Sequence, residues 1–369
     1  MRHERELQGP GDHACDRCIA RSWLLNRLAG HLEHARGRIE AILALGDDDL
    51  IAAVAGPRRE QVRHELSRLD PDELRDEFAA AGIETLCRCQ RRYPMRLRAL
   101  ATPPAVLHVA GGMTRFLALA DEDPVAIVGA RRATPYGIEV ARSLGRDLAR
   151  AGVTVVSGMA LGIDSAAHSG ALAAGAPTVA VLPGAADRSY PASRGALHRQ
   201  IVACGAAVSE LPPGASVWRW SFPARNRIIA ALAASTVVVQ AGSRSGSLLT
   251  AGFARGLGRP VGAVPGQVTS PVAAGPNSLL AHGAYVVRGP QDVLDTLFGA
   301  GVRPAMTDRR AEVSAEARAL LSAIAAGADT EAALAETGLS AGDGLAALAL
   351  LELGGYVRRG PGGSYTALP

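Results

Sequence analysis

The sequence contains no lysine: its 39 basic residues are all arginine, against 35 acidic residues. A GC-rich genome would produce this bias without a functional cause, and that explanation stays open. The arginines are also unevenly placed. Residues 125–290 hold 15 arginines and five acids, which is a net +10, so the rest of the chain is −6 within the total of +4. A basic central segment indicates a polyanionic partner, either nucleic acid or phosphorylated small molecules.

Long apolar runs and aromatic residues are scarce as well. No run of about 18 uncharged apolar residues occurs, so the sequence predicts no membrane span. The first residues, MRHERELQGPGDH, are charged and lack the apolar stretch of a secretory signal. We therefore expect a cytoplasmic protein. With 369 residues, of which 48% are apolar, the chain is long enough for two or three domains with sizeable cores.

Five cysteines are too few for a disulfide scaffold, and a cytosolic chain does not use them as structural disulfides by default. Cys15 and Cys18 form a C-x-x-C pair, and Cys87 and Cys89 form a C-x-C pair. Two such pairs can supply the four thiolates of a tetrahedral, structural zinc site. The C-x-C spacing is tighter than zinc sites usually show, and four unrelated reduced thiols are the alternative. No other cofactor is expected.

Hydrophobic periodicity divides the chain into three domains. Residues 15–112 show apolar residues at helical spacing and then, at 93–112, an irregular segment with prolines and glycines, which predicts a helical domain plus a linker that ends in a short strand. Residues 113–298 alternate short β-branched runs with helical patterns, and the runs are apolar throughout. Such strands are buried on both faces, which is typical of a Rossmann-like, doubly wound, mostly parallel sheet in an α/β fold. Predicted strands are 125–129, 153–158, 178–183, 206–210, 236–241, 261–266 and 284–287; predicted helices are 136–151, 163–174, 194–204, 225–234 and 247–257.

Residues 311–369 predict three short helices followed by two strands around Gly-Pro-Gly-Gly, which is a winged-helix pattern. The second and third helices carry acids and no arginine. An acidic recognition helix argues against DNA binding by this domain, so we favour a role in protein interaction or stability. The acids are Asp329, Glu331, Glu336, Asp343 and Glu352.

Ligands of doubly wound sheets bind beyond the carboxyl ends of the strands. Of the six segments that follow the predicted strands, at least three offer backbone N–H groups near a helix start, where they can donate to phosphate oxygens. Such turns occur in any α/β protein, but together they indicate an anion-binding edge. The segments are 129–132, 157–168, 183–191, 211–227, 241–254 and 265–280.

The segment WRWSFPARNR is the most unusual stretch of the sequence. Trp218, Trp220 and Phe222 fall within five residues, in a chain with 14 aromatic residues in all, and they are interleaved with arginines. Rings that stack on bases beside cations that hold phosphates are typical of single-stranded nucleic-acid binding. For both tryptophans a hydrophobic plug at the sheet edge is an equal alternative, whereas stacking is favoured for Phe222. The arginines concerned are Arg219, Arg225 and Arg227.

Candidate catalytic groups are few. Asp164 and His168 lie four residues apart on one predicted helix, which allows a hydrogen-bonded pair, but a helix-start Asp and a satisfied buried His are the simpler interpretation. Ser245 and Ser247 lie in a Gly-rich turn with no evident base. The metalloprotease, nucleophile-elbow and P-loop motifs do not occur. The inventory favours a binding protein over an enzyme.

With these motifs in order, the sequence resembles the DNA-processing protein A family (DprA, also called Smf). The resemblance covers nearly the whole chain. It implies a Rossmann-like core that binds single-stranded DNA, forms a homodimer and helps to load the RecA recombinase in natural transformation, protecting incoming DNA. It also implies an N-terminal helical domain of sterile-alpha-motif or helix-hairpin-helix type and a C-terminal winged helix. The motifs are YPMRLRAL, PPAVLHVAGG, VAIVGARRATPYG, SGMALGIDSAAHSGAL, SE-x-P-P-G, FPARNRIIAAL, SGSLLTAGFA, GRPVGAVPG and GPNSLLAHGA.

The resemblance also implies roles for individual residues. Arg131 would be the DNA-contacting arginine of the first loop, with Arg259 as a weaker candidate elsewhere. Phe222, Arg225 and Asn226 would line the same pocket. Loop contacts to phosphate would come from Ser157, Gly158, Ser245, Gly246 and Ser247.

Two positions depart from the family pattern. Leu161 stands where the family's SG-x-A-x-GID motif generally carries arginine. Ser169 stands where its AH-x-GAL motif often does. Two cationic contacts are thereby removed, so this member is expected to bind DNA more weakly or to use Arg132 and Arg219 instead. The cysteine pairs are not a general family feature and would belong to a lineage with a zinc clip between the N-terminal segment and the linker.

Two other functions, a nucleotide hydrolase and a scaffold without nucleic-acid binding, are less consistent with the sequence. Related Rossmann-like proteins hydrolyse nucleotide N-glycosidic bonds with a P-G-G-x-G-T-x-x-E loop, but here that loop reads AGSRSGSLLTAGFA and the acid is absent from it. A scaffold without nucleic-acid binding is disfavoured by the +10 central charge. We therefore expect no enzymatic activity.

Overall fold

The computed structural model of the chain describes residues 13–305 and 313–367. The charged N-terminal residues 1–12 and the predicted start of the winged helix at residue 311 lie outside this part. The chain divides into two compact units between Ala305 and Met306. The α/β fold with a Rossmann-like sheet and a winged helix is confirmed.

The first unit begins with six helices. Local sequence signals place their ends: in α6, for example, the Asp70 side chain accepts hydrogen bonds from the N–H groups of Asp72 and Glu73, and Pro71 occupies the first turn. Apolar residues of the first helices pack around Leu24, Leu28 and Leu50. The helices are α1 Asp16–Arg27, α2 Ala29–Leu32, α3 Ile39–Leu43, α4 Asp47–Val54, α5 Arg59–Ser67 and α6 Pro71–Ala80.

A nine-stranded sheet with helices between its strands forms the rest of this unit. The strands are β1 Glu84–Cys87, β2 Val106–Ala110, β3 Val125–Val128, β4 Val155–Ser157, β5 Thr178–Val181, β6 Ala206–Ser209, β7 Ser235–Val238, β8 Val261–Ala263 and β9 Tyr285–Val286. The helices are α7 Met95–Arg98, α8 Met113–Asp121, α9 Pro135–Arg150, α10 Ile163–Ala173, α11 Gly195–Cys204, α12 Ser221–Leu232, α13 Ser247–Gly256, α14 Ala274–Ala281 and α15 Pro290–Phe298.

The strand order is β1-β2-β6-β5-β4-β3-β7-β8-β9. The strands from β6 to β9 in this order pair in parallel, while β2 pairs antiparallel with both β6 and β1. The chain runs outward from β3 to β6 on one side and then returns to add β7 on the other side of β3. The β3–β7 junction, in register from Val125 with Ser235 to Val128 with Val238, is therefore the topological switch point.

The strands β3 to β8 are buried along their whole length, as the apolar runs predict. One face of the sheet packs on a core that includes Phe116, Ile228 and Ile229, and the other on a core that includes Leu144 and Ile163. At roughly 1.5–3 kcal/mol for each large side chain removed from water, these two cores fix the sheet between its helix layers.

The domain division drawn between residues 112 and 113 does not coincide with an edge of the sheet. β1 and β2 lie before it in the chain but extend the sheet next to β6. The N-terminal helices also share a core with residues of the sheet unit, including Leu211 and Trp220. The helical segment is therefore packed into the same compact unit as the Rossmann-like sheet.

The second unit is a small winged helix. Its helices begin at Ser314, Asp329 and Ser340, whose side chains each accept a hydrogen bond from a backbone N–H of the first turn. Leu320, Leu348 and other apolar residues form its core. The elements are α16 Ala315–Ala325, α17 Thr330–Thr337, α18 Ala341–Leu353, β10 Val357–Arg359 and β11 Tyr365–Ala367.

Among the described residues, no single helix combines the length and the apolar character that crossing a membrane requires. The helices Thr330–Thr337 and Ala341–Leu353 have the required length and apolar character only when they are counted together, and they are bent by 115° relative to each other.

Candidate functional site

A cavity of about 220 Å³ opens at the β3–β7 switch point. Its wall is built from the loops after β3, β4 and β7 and from the first turns of α12 and α13. It is lined by Val128, Gly129, Arg131, Ala160, Asp164, Phe222, Arg225, Asn226, Ile229, Ser245, Gly246, Ser247 and Thr250. The cavity thus lies at the carboxyl ends of the strands, which is the edge where the sequence predicts ligand-binding residues.

The inner wall of the cavity carries a buried cation. Arg225 is only 6% exposed, and its Nη1 donates to the carbonyl of Val181 at 3.0 Å. Its guanidinium lies against Gly158, where an added Cβ would fall 1.4 Å from Nη1, so any side chain at residue 158 would displace the arginine. Burial lowers the pKa of Arg225 to about 10, which keeps it charged at neutral pH. Its Nε has no partner among the described residues.

Asp164 is the carboxylate that faces this arginine. Burial raises the pKa of Asp164, while the charge of Arg225 and the backbone N–H groups of Ala160, Gly158 and Gly129 oppose that rise. An acid therefore does lie in the pocket, although the loop 241–254 contains none. Its Oδ2 accepts a hydrogen bond from the Ala160 N–H at 3.4 Å, which ties the loop after β4 to the start of α10.

Polar groups on the opposite side come from the serine-glycine turn. Asn226 Nδ2 donates to the carbonyl of Gly246 at 3.0 Å, which ties α12 to the start of α13. The hydroxyls of Ser245 and Ser247 are 2.8 Å apart. This turn leads into α13, where the first N–H groups of a ten-residue helix favour an anion.

An aromatic ring and an exposed cation form the outer wall. The Cζ of Arg131 lies 4.5 Å from the centroid of the Phe222 ring, which is a cation–π contact. Tyr190 packs against the same ring, with centroids 5.6 Å apart. Arg131 is exposed and Phe222 half-buried, so both can meet a ligand that approaches from solvent.

Seven of the residues proposed from the sequence thus meet in one pocket: Arg131, Phe222, Arg225, Asn226, Ser245, Gly246 and Ser247. Arg132 and Arg219 are exposed but do not line it. Gly158 contributes by making room for Arg225.

Arg227 was wrongly placed in the binding set. Its side chain is 2% exposed, and Nη2 donates to both carboxylate oxygens of Glu210 at 2.6 Å. Because Arg225 and Arg227 are two residues apart on α12, they point to different sides of the helix. Arg227 therefore forms a buried ion pair that holds α12 to the end of β6.

Arg259 and Ser157 also serve the fold. Nη1 of Arg259 donates to the last carbonyls of α12, those of Ala230, Ala231 and Ala233, and so satisfies a helix end. The Ser157 hydroxyl is fully buried and donates to the Ile127 carbonyl at 2.6 Å. Neither position fits the phosphate contact expected for it.

Both tryptophans pack in a hydrophobic cluster with the N-terminal helices, as the alternative to base stacking predicts. Trp220 is 1% exposed, packs among the N-terminal helices, and donates its Nε1–H to the Ala29 carbonyl at 3.0 Å. Trp218 is half-buried against the same cluster and contacts Gly30. Of the three rings in this stretch, Phe222 is the one that lines the pocket.

Asp164 and His168 do not form an acid–base pair. His168 Nδ1 is hydrogen-bonded to Thr178 Oγ1 at 2.8 Å, and the side chain is fully buried. Burial lowers the pKa of His168 to about 3, so the ring is neutral at physiological pH. His168 is therefore a buried core histidine that is hydrogen-bonded through Nδ1, while its Nε2 has no partner among the described residues.

The four paired cysteines are brought together at a separate place. Cys15, Cys18, Cys87 and Cys89 are free thiols whose Sγ atoms all lie within 4.8 Å of one another. The C-x-x-C pair begins α1, and the C-x-C pair ends β1. The expected meeting of the two pairs is therefore seen.

Two residues near the site were not singled out from the sequence, and Asp164 was considered there only as a partner of His168. Tyr190 packs against Phe222, and Arg244 is exposed in the serine-glycine turn. Both loop residues, Tyr190 and Arg244, follow strands at the same sheet edge, so the strand-end rule would have found them if every polar residue there had been taken.

Comparison with known proteins places the fold in a family. A model of the family described as DNA recombination-mediator protein A matches residues 84–298, and a DprA winged helix domain model matches residues 304–363. A DprA protein of Mycobacterium tuberculosis is 50% identical over 170 residues, which are 46% of this chain. The match spans 44% of that relative, less than half of its length.

Two solved structures resemble the chain over most of their own length. DNA processing protein A of Streptococcus pneumoniae is 29% identical, covers 76% of this chain and 96% of its own, and has a TM-score of 0.62. DNA processing protein A of Helicobacter pylori, described with a single-stranded DNA binding mode, is 32% identical, covers 58% and 95%, and has a TM-score of 0.52. Since the first family model alone covers more than half of the residues, this chain belongs to the DNA recombination-mediator protein A (DprA/Smf) family.

Proposed function

We propose that this protein binds single-stranded DNA in the pocket at the β3–β7 switch point and acts as a recombination mediator. The observation that carries the proposal is the convergence of Arg131, Phe222, Arg225 and the serine-glycine turn on one cavity. The half-buried Phe222 ring offers a stacking surface, worth about 1–3 kcal/mol per base, beside cations that hold phosphates.

The size of the cavity supports a polymeric ligand. About 220 Å³ is less than the roughly 300–1,000 Å³ of pockets that enclose a whole small molecule. One phosphate or one base fits, and the rest of the ligand continues over the surface, as a strand does. The arginine-rich segment 125–290, at +10, attracts such a polyanion.

The proposed action is binding without catalysis. The carboxylate that lines the pocket, Asp164, is engaged by backbone donors and Arg225, and the neighbouring His168 faces Thr178. Family membership further supports a homodimer that protects the strand and passes it to the RecA recombinase in the cytoplasm during natural transformation. Light scattering, and strand exchange with RecA, test these two parts separately from DNA binding.

Fluorescence anisotropy with labelled single- and double-stranded oligonucleotides over a salt series tests the pocket. We expect preference for the single strand and a linear fall of log K with log salt. Arg131→Ala removes one phosphate contact and should lower the magnitude of that slope by about 0.7. Phe222→Ala removes stacking and should weaken binding by about 5- to 150-fold, with the slope nearly unchanged.

Arg132→Ala is the matched control for Arg131→Ala. The two residues are adjacent and both exposed, but only Arg131 lines the cavity. We expect Arg132→Ala to change the slope much less. Equal affinity for the duplex, or identical effects of the two substitutions, would contradict the assignment.

A further inference from the structure

The four clustered cysteines occupy a junction between the N-terminal helices and the sheet. Cys15 is the residue before α1, and Cys18 lies in its first turn. Cys87 is the last residue of β1, and Cys89 lies in the turn that follows. Seventy-two residues separate Cys15 from Cys87 along the chain, so folding has brought distant thiols to one point.

The spacing of the sulfur atoms fits one tetrahedral metal ion. Four thiolates at about 2.3 Å from a central zinc ion have their sulfur atoms about 3.8 Å apart. Sγ of Cys18 and Sγ of Cys89 are 3.7 Å apart, and all four atoms lie within 4.8 Å. A multi-iron cluster would hold its thiolates farther apart, because metal and sulfide ions lie between them.

A backbone donor and a helix start lie beside two of the four sulfur atoms. The backbone N–H of Cys15 points at Sγ of Cys87, with 3.4 Å between the atoms. Cys18 lies in the first turn of the twelve-residue helix α1, where the helix dipole favours negative charge. Two of the four residues, Cys18 and Cys87, are buried, so their ligand atoms are shielded from competing water.

We propose that Cys15, Cys18, Cys87 and Cys89 bind one Zn²⁺ ion in a closed, tetrahedral tetrathiolate site. Each thiol enters as a thiolate, and the four protons pass to solvent. With four protein ligands the ion has no open position, so the site is structural. The ion joins the start of α1 to the end of β1 and so fastens the helical segment to the edge of the sheet.

Metal analysis of the purified full-length protein, prepared without added metal, tests the site. We expect about one zinc ion per chain, since thiolate sites hold zinc tightly. Cys89→Ser removes the exposed ligand with little effect on packing and should lower the retained zinc to less than about one ion in ten chains after a chelator wash. Cys204→Ser alters the exposed cysteine outside the cluster and should leave the zinc content unchanged.

Thiol titration provides a second readout that does not depend on any variant. In the native protein we expect Cys204 to react at once and the four cluster thiols only after a zinc chelator is added. Refolding with Co²⁺ should give the absorption of tetrahedral thiolate-bound cobalt in the native chain and in Cys204→Ser. Native protein with five freely reactive thiols and no zinc, iron in place of zinc, or equal zinc in Cys89→Ser and the native chain would overturn the proposal.

Discussion

Leu161 is an exposed apolar residue directly after Ala160, which lines the pocket. It is 40% exposed at the turn that leads into α10, and the resemblance to the family predicts an arginine at this position. No described contact depends on its side chain being apolar. A single residue therefore decides how much positive charge this side of the pocket presents.

Leu161→Arg should strengthen single-strand binding. One added phosphate contact raises the magnitude of the salt slope by about 0.7, and the gain in affinity should be largest at low salt. Anisotropy over a salt series measures both. Leu353→Arg adds the same charge at an exposed leucine of the winged helix and serves as the control. If both substitutions strengthen binding alike, the effect comes from net charge and not from the pocket.

The roles of the arginines show where the sequence could and could not predict the site. Arg131 follows a strand at the ligand edge, so its place was predictable. Arg225 and Arg227 share one helix and one motif, and only the three-dimensional partner of each separates them. Glu210, which pairs with Arg227, is 17 residues away in the chain and belongs to a strand end. A local sequence motif does not indicate which distant residue an arginine will pair with.

At the scale of elements, α9 and α10 pack unusually closely. A Cβ added at Gly145 of α9 would lie 2.3 Å from the carbonyl oxygen of Ala167, and one added at Gly170 of α10 would lie 2.0 Å from that of Arg142. The two backbones thus touch through glycines. The helices follow β3 and β4, so their contact fixes the distance between two loops that line the pocket.

Gly170→Ala should therefore destabilise the protein. Alanine favours a helix over glycine by about 1 kcal/mol, but overpacking against a backbone atom costs about 1–3 kcal/mol, and here the clash is severe enough to win. We expect a net loss of about 1–2 kcal/mol in chemical denaturation. Gly252→Ala is the control: it lies in α13 with nothing within 4 Å of the added Cβ. It should stabilise by about 0.5–1 kcal/mol, and loss of stability in both would refute the packing argument.

The predicted strands and helices of the sheet unit agree with the structure to within a few residues at most ends. Continuous apolar runs such as Val125–Val128 have few alternatives to a buried strand. The edge strand β1 was not predicted. It has four residues and pairs with β2, and β2 in turn pairs with β6, about 100 positions away in the chain, a pairing that periodicity does not register.

At the scale of the whole molecule, the winged helix is a separate unit with its own core. Its second and third helices carry the predicted acids, and the exposed arginines Arg358 and Arg359 lie on the strand β10. A winged helix that reads DNA usually does so with a helix in the major groove. This charge distribution favours protein contact over DNA contact.

A chain ending at residue 305 should keep its single-strand affinity within about twofold and its salt slope within about one phosphate contact. Anisotropy compares it with the full chain, and circular dichroism checks that the sheet unit is folded. A larger drop in slope would assign phosphate contacts to the winged helix and overturn its proposed role in protein interaction or stability.

Trp220 and Phe222 are two residues apart, yet one is buried among the N-terminal helices and the other faces the pocket. The start of α12 is thus held in place by the packing of Trp220 against the N-terminal helices. If a partner bound the N-terminal helices and shifted Trp220, it would change the affinity of the Phe222 ring for a base. The bound strand would then change the affinity of the partner by the same factor. The packing of the N-terminal helices around Trp220 therefore helps to set the position of the ring that faces the pocket.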